Sequence, residues 1–294
     1  MLTRPTFASL SIFLTLCLMA PNPGCYTENA VPWQPDQPGQ ARTAGQVYYL
    51  DGAGGGGRAG GWGRGVRKGL DAAGYQGDFH DFPWQTRMGV VTDQVATLRF
   101  KRAKAEELAR QIHERSRQSP AQPIDLIGLS AGTAVAVFAL EALPDGCMVD
   151  NVILLGSSLS SNYDVSSALK HVRNRMYVFT SNRDTVLRFL VPISGTADRQ
   201  HRAGRAAGLG GLRLPLGADL ETQRLYAKVV NVAWNPDFER AGNYGGHTAV
   251  AGWRFVRDYV APLILQQGPR FMRAGARPQW ATQTTAPSSQ PREE

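Results

Sequence analysis

An apolar strand that turns without pause into an apolar helix constrains this chain more than any other stretch. Residues Ile124 to Leu129 are nearly all apolar, which marks a strand covered on both faces. Ala131 to Leu143 are small and apolar almost all round, which marks a buried helix. At their junction stands Gly128-Leu129-Ser130-Ala131-Gly132, so a serine occupies a sharp strand-to-helix turn. Such a turn strains its central residue, and the neighbours two positions away must be small; Gly128 and Gly132 meet that demand. A helix N-terminus offers free N–H groups and partial positive charge. Ser130 is therefore a candidate nucleophile, and the Ala131 N–H a candidate donor to a developing oxyanion.

The rest of the chain repeats the alternation of strand and helix. Gln46 to Leu50 is β-branched and aromatic, and reads as a strand. Asp78 to Trp84 is a weaker strand because of its two Asp residues. Arg102 to Arg117 sets Ala105, Leu108, Ala109 and Ile112 at helical spacing, and Pro120 and Pro123 stop that helix. Val149 to Leu155, Met176 to Thr180 and Ala227 to Trp234 are further strands, and Ala249 to Leu265 is a closing helix. Alternation of this kind predicts a three-layer α/β/α sandwich with a mostly parallel sheet. Its functional loops then sit at the carboxyl ends of the strands.

A serine hydroxyl needs a base to take its proton and a carboxylate to hold the base's tautomer. Of five His, His113 and His171 are expected at the surface, His80 lies on the weak strand and His201 in a basic loop. His247 stands in Gly245-Gly246-His247-Thr248 after the last strand, in a loop flexible enough to bring an imidazole over the hydroxyl. Asp184 follows the strand Met176 to Thr180, on the same edge as Ser130 and His247. Its competing role is to cap the helix from Thr185, and Asp198, Asp219 and Asp237 are rival acids.

The glycine tract after Leu50 has two readings. As an oxyanion loop, it would offer the N–H of Ala53 or Gly54. As a dinucleotide cradle, Gly52, Gly54 and Gly57 satisfy G-x-G-x-x-G, with Asp78 about twenty residues on. Against the cradle, Gly60, Gly61, Gly63 and Gly65 interrupt the helix that should follow.

The chain order Ser130, Asp184, His247 and the motif around Ser130 resemble the α/β-hydrolase family, across Gln46 to Gln267. The resemblance implies an eight-stranded, mostly parallel sheet, here lacking its first one or two strands. It also implies acyl-enzyme chemistry on a small-molecule or lipid-like ester or related acyl compound, with no cofactor and no metal. Where the family commonly has His-Gly-Gly, this chain has Asp51 in the His position. The stretch between Leu155 and Met176 leaves no room for a large cap domain. Thr185 to Tyr226, rich in Gly and Arg, is the expected source of substrate-site variation and is expected to be mobile. A catalytically inactive family member that binds a partner, and a nucleotide-dependent oxidoreductase, are the other classes.

The ends of the 294-residue chain carry a different signal. Arg4, an apolar run from Ala8 to Ala20 and a break from Pro21 to Cys25 predict a signal peptide over residues 1–25 and export. An uncleaved anchor and a lipidated Cys25 are the alternatives, and they are the expected routes of membrane contact. Residues 26–45 read as a flexible leader, 46–267 as the hydrolase-like domain and 268–294 as a disordered tail. The three Cys leave no thiolate metal site. The net charge of +8 comes from scattered Arg, apart from Arg199, Arg202 and Arg205. It predicts a solvated basic face and no nucleic-acid partner.

Overall fold

A computed structural model describes residues 44–55, 61–86, 88–89, 92–93, 96–198 and 205–265. The predicted signal, the tail and all of the leader except residues 44 and 45 lie outside the described residues, as do Gly57 and His201.

Six strands are described: β1 (Gln46–Leu50), β2 (Asp78–Asp81), β3 (Ile124–Leu129), β4 (Val149–Leu155), β5 (Val172–Thr180) and β6 (Val229–Ala233). All adjacent pairs are parallel, in the order β2-β1-β3-β4-β5-β6. The chain lays β1, adds β2 on one side, then crosses back to place β3 on the other. Winding therefore reverses between β1 and β3, and open parallel sheets bind ligands beyond the carboxyl ends of strands at such a reversal.

The helices are α1 (Gly63–Ala72), α2 (Leu98–Gln118), α3 (Gly132–Glu141), α4 (Ser166–Leu169), α5 (Thr185–Ser194), α6 (Ala207–Gly210), α7 (Leu220–Tyr226), α8 (Trp253–Phe255) and α9 (Ala261–Ile264). Alternate strand residues face opposite layers, as the two-residue period of a strand requires. Tyr48, Leu50, Leu126, Val152, Leu154 and Val178 pack with α2 and α3. Val47, Tyr49, Ile127, Leu129, Ile153 and Leu155 pack with α1, α8 and α9. Both faces of the central strands are thus covered, and the predicted three-layer sandwich is the observed one. Helix α3 is buried at every residue from Gly132 to Leu140, which explains why its sequence shows no polar face.

Several element bounds differ from those read in the sequence. Helix α2 begins at Leu98, before Arg102, because Thr97 Oγ1 accepts the Phe100 N–H at 3.1 Å and caps it. Strand β2 ends at Asp81. The chain then leaves the sheet, and the fully buried Trp84 donates its Nε1–H to the Asp51 carbonyl at 2.7 Å. Strand β5 starts four residues early, at Val172, which pairs with Val149 beside a register shift in β4. The closing segment is not one helix. Gly252 is extended (φ −63°, ψ 134°) and separates a 3₁₀ turn, Ala249–Ala251, from α8. A π turn, Val256–Val260, then joins α8 to α9, because Pro262 has no N–H to return to the preceding turn.

Helix α1 corrects the sequence reading outright. Gly63 and Gly65 were expected to interrupt a helix, yet both lie inside one. A Cβ at Gly65 would sit 2.6 Å from the Ala251 carbonyl oxygen, and one at Gly69 would sit 2.5 Å from Val256 Cβ. The glycines let α1 approach the closing segment, and that tertiary packing outweighs their helix penalty of about 1 kcal/mol each.

The dinucleotide reading fails on a different observation. Asp78 opens β2 at its amino end and accepts a hydrogen bond from Gln46 Nε2 at 2.7 Å. It stands on the opposite edge of the sheet from the glycine loop that follows β1. His171, expected at the surface, is buried, with Nδ1 2.9 Å from the Cys147 carbonyl. Between β4 and β5 only α4 intervenes, so no cap domain enters there. The part of the 185–226 segment expected to be mobile is tied down over Ala207 and Gly208. Their N–H groups donate to Leu159 O at 2.7 Å and Ser157 O at 2.8 Å.

Candidate active site

Ser130 follows β3 with φ 51°, the one positive φ outside glycine among the described residues. Holding such a residue in the left-handed region costs roughly 1–3 kcal/mol, so the surroundings must impose it. They do so through the backbone. Ser130 N–H donates to Leu155 O at 2.9 Å, and Ser130 O accepts from Thr133 N at 3.2 Å and Thr133 Oγ1 at 2.5 Å. A Cβ at Gly132 would lie 2.3 Å from Leu50 O, and one at Gly128 2.8 Å from Thr133 Cα. Both small residues of the motif are therefore required by contact.

Asp184 and His247 come to the same edge from β5 and β6. Ser130 Oγ lies 2.9 Å from His247 Nε2, and His247 Nδ1 lies 2.6 Å from Asp184 Oδ2. The carboxylate accepts the Nδ1–H, which leaves Nε2 as the acceptor facing the hydroxyl. Asp184 is 2% exposed. Its two oxygens divide the roles weighed in the sequence: Oδ2 takes the imidazole, and Oδ1 accepts the Leu187 N–H at 2.9 Å to cap α5. Two of the three rival acids have carboxylates occupied elsewhere. Asp198 Oδ1 accepts from Ser160 N at 3.0 Å, and Asp219 caps α7 by accepting from Thr222 N at 2.7 Å. Asp237 lies in a 3₁₀ helix, Pro236–Ala241, with its N–H on Asn235 Oδ1.

The loop carrying His247 is pinned where the sequence suggested a swinging one. Ser181 Oγ donates to the Gly245 carbonyl at 2.8 Å, and the Gly245 N–H donates to Asn243 Oδ1 at 2.9 Å. Gly245 has φ 91°, and a Cβ there would meet Ser181 Oγ at 2.8 Å and Arg183 Cβ at 2.9 Å. Arg183 in turn lies 3.6 Å over the Trp234 ring. Gly156, at the exit of β4, flanks the imidazole; a Cβ there would be 3.4 Å from His247 Nδ1. Ser181, Asn243 and Gly156 carry no motif, and no signal in the sequence marks them.

The glycine tract after β1 runs beside the hydroxyl, since a Cβ at Gly52 would lie 3.4 Å from Ser130 Cβ. Of the N–H groups named in the sequence as oxyanion donors, Gly54's is already given to Asp93 Oδ2 at 2.8 Å. Those of Ala53 and Ala131 have no acceptor among the described residues. Asp51, in the position of the family's His, is fully buried and accepts from Tyr49 Oη at 2.9 Å and from the Gly52 N–H at 2.8 Å.

Asp51 also acts on Asp81, the last residue of β2. Desolvation first, and the Asp51 charge second, push the Asp81 carboxyl from 3.8 up to about 6. The folded protein holds that proton more tightly than the unfolded chain, so ionisation destabilises the fold as pH rises through this window. Asp81→Asn is expected to raise Tm at pH 7 and to change it little at pH 4. Thermal scans at both values check this, and an equal shift at the two contradicts it.

Residues 73–195 match a family model described as alpha/beta hydrolase, a window that includes Ser130 and Asp184 and ends before His247. No curated protein matches the chain. Among solved structures, a cutinase-like protein from Cryptococcus sp. is similar at 16% identity and TM-score 0.39, over 78% of this chain and 99% of that one. Aspergillus fumigatus lipase B is similar at 13% identity and TM-score 0.46, over 81% of this chain and 55% of the lipase. The Pyrococcus furiosus esterase Pf2001 is similar at 12% identity and TM-score 0.39, over 78% of this chain and 80% of that one.

Proposed function

We propose that this chain is an α/β hydrolase, a reading supported by its parallel sheet and by the family match over residues 73–195, and that it is a serine hydrolase cleaving an ester or related acyl bond. One observation carries the reading: the unbroken hydrogen-bonded run from Asp184 through His247 to Ser130, at the point where strand winding reverses. In this reading His247 Nε2 takes the Ser130 proton as Oγ attacks the acyl carbonyl. The N–H groups of Ala131 and Ala53 receive the oxyanion. The imidazolium, held by Asp184, then returns the proton to the leaving group, and the acyl chain is left on Ser130. Water, deprotonated by the same imidazole, releases the acid and restores the hydroxyl. Turnover of a series of p-nitrophenyl esters from acetate to palmitate tests this. Release of p-nitrophenol from one or more of them is the expected result, and an inert folded protein across the whole series contradicts it.

We also propose that the chain is exported, on the basis of Arg4, the apolar run to Ala20 and the break before Cys25. N-terminal sequencing of protein recovered outside the cytoplasm is expected to find the predicted signal, residues 1–25, removed. An intact Met1 on protein confined to the cytoplasm contradicts export.

A further inference from the structure

The loop from Asp51 to Gly55 reaches Ser130 with three of the four N–H groups of residues 52 to 55, and the carbonyls of Asp51 and Gly52, hydrogen-bonded. The Gly52 N–H goes to Asp51 Oδ1 at 2.8 Å, the Gly54 N–H to Asp93 Oδ2 at 2.8 Å, and the Gly55 N–H to Gly52 O at 3.0 Å. The Asp51 carbonyl accepts from Trp84 Nε1 at 2.7 Å, and the Gly52 carbonyl from Gln85 Nε2 at 3.3 Å. Only the Ala53 N–H, among the N–H groups of residues 52 to 55, has no acceptor among the described residues. A backbone donor left over in so closely tied a loop, beside a strained serine, is what a preorganised oxyanion site requires.

We infer that Asp93 is a positioning residue for the hydrolysis, and that its carboxylate fixes the loop so that the Ala53 N–H meets the developing oxyanion. The inference rests on the hydrolase reading above. Asp93 is 1% exposed and accepts three hydrogen bonds. Oδ2 takes the Gly54 N–H, while Oδ1 takes the Thr86 N–H at 2.7 Å and Thr86 Oγ1 at 2.5 Å. Thr86, Trp84 and Gln85 all lie in the segment after β2, so the segment and the loop are joined through one buried carboxylate and two flanking side chains. Gly54 has φ 77°, a conformation suited to glycine, which turns the loop at the residue Asp93 grips. Ionised, the carboxylate accepts on both oxygens. An amide accepts on one only, and would set its NH₂ against the Gly54 N–H.

Asp93→Asn is therefore expected to lower kcat on a short p-nitrophenyl ester by about 10- to 100-fold, less than the 10²–10³ typical for a donor removed outright. KM and the acid limb of the pH profile, set by the Ser130–His247 pair, are expected to stay in place. Amide exchange is expected to quicken in the peptide covering Asp51 to Gly55 and to remain unchanged around Asp184. A purely structural defect would move KM, the pH limb and exchange at both places. Should Asp93→Asn fail to fold, Thr86→Val removes one of the three donors and is expected to lower kcat severalfold at constant KM. A folded Asp93→Asn with kcat within about twofold of wild type, or with its loss confined to KM, overturns the inference. Wild-type protein that no fluorophosphonate modifies at Ser130 overturns the hydrolase reading, and the clamp's role in the reaction with it. Normal labelling of wild type, with an Asp93→Asn variant labelled equally fast, overturns the clamp alone.

Discussion

Replacing Ser130 by alanine is expected to lower kcat on a p-nitrophenyl ester by about 10⁶-fold while the protein stays folded. The hydroxyl is the attacking atom, and no other side chain stands within hydrogen-bond reach of His247 Nε2 among the described residues. The cost to stability is expected to be small because Oγ makes that one side-chain hydrogen bond, whereas the elbow is held by the backbone of Leu155 and by Thr133. Alanine at this position meets the same left-handed strain as serine, so the turn has no new reason to relax. Steady-state kinetics with matched thermal scans check both halves. A variant that keeps more than about 1% of the activity contradicts the nucleophile assignment.

The second large effect comes from a substitution that separates two functions of one carboxylate. Asp184→Asn is expected to lower kcat by about 10⁴-fold, because an amide NH₂ facing Nδ1 selects the tautomer with its proton on the wrong nitrogen. The same substitution keeps an oxygen for the Leu187 N–H, so the cap on α5 and the melting temperature are expected to hold. Asp184→Ala loses both, with a cap loss of about 1 kcal/mol added to the loss of activity. Asp198→Asn serves as the comparison: its carboxylate accepts from Ser160 N and takes no part in the run to Ser130. Activity lost in Asp198→Asn and kept in Asp184→Asn contradicts the account of the acid.

What the sequence discloses of this fold is local. The strand, the tight turn and the buried helix around Ser130 are adjacent in the chain, and their composition alone demands them. Asp184 was legible because it stands just past the apolar end of β5, and His247 because it lies in a Gly-rich loop ahead of the closing segment. Helix α1 was not, because its glycines answer to the backbone of Ala251 and the side chain of Val256, far along the chain. Propensity is summed over neighbours in sequence and does not register such a contact. The Gly54 N–H looked available in the sequence because its acceptor, Asp93, is 39 residues away in a stretch with no motif. His171 looked exposed for the like reason that its partner is the carbonyl of Cys147, 24 residues away. Loop anchors such as Ser181 and Asn243 escaped notice because a single serine or asparagine in a loop carries no pattern until its partner is known.

The central claim is that the Ser130 hydroxyl is activated by His247 under the hold of Asp184. Peptide mass spectrometry after treatment with a fluorophosphonate measures that activation directly, since an unactivated serine does not react. The account predicts one adduct on Ser130 in wild type, a much slower adduct at the same site in Asp184→Asn, and none in Ser130→Ala. An adduct on another residue, or folded wild-type protein that turns over esters with Ser130 unmodified, would contradict it.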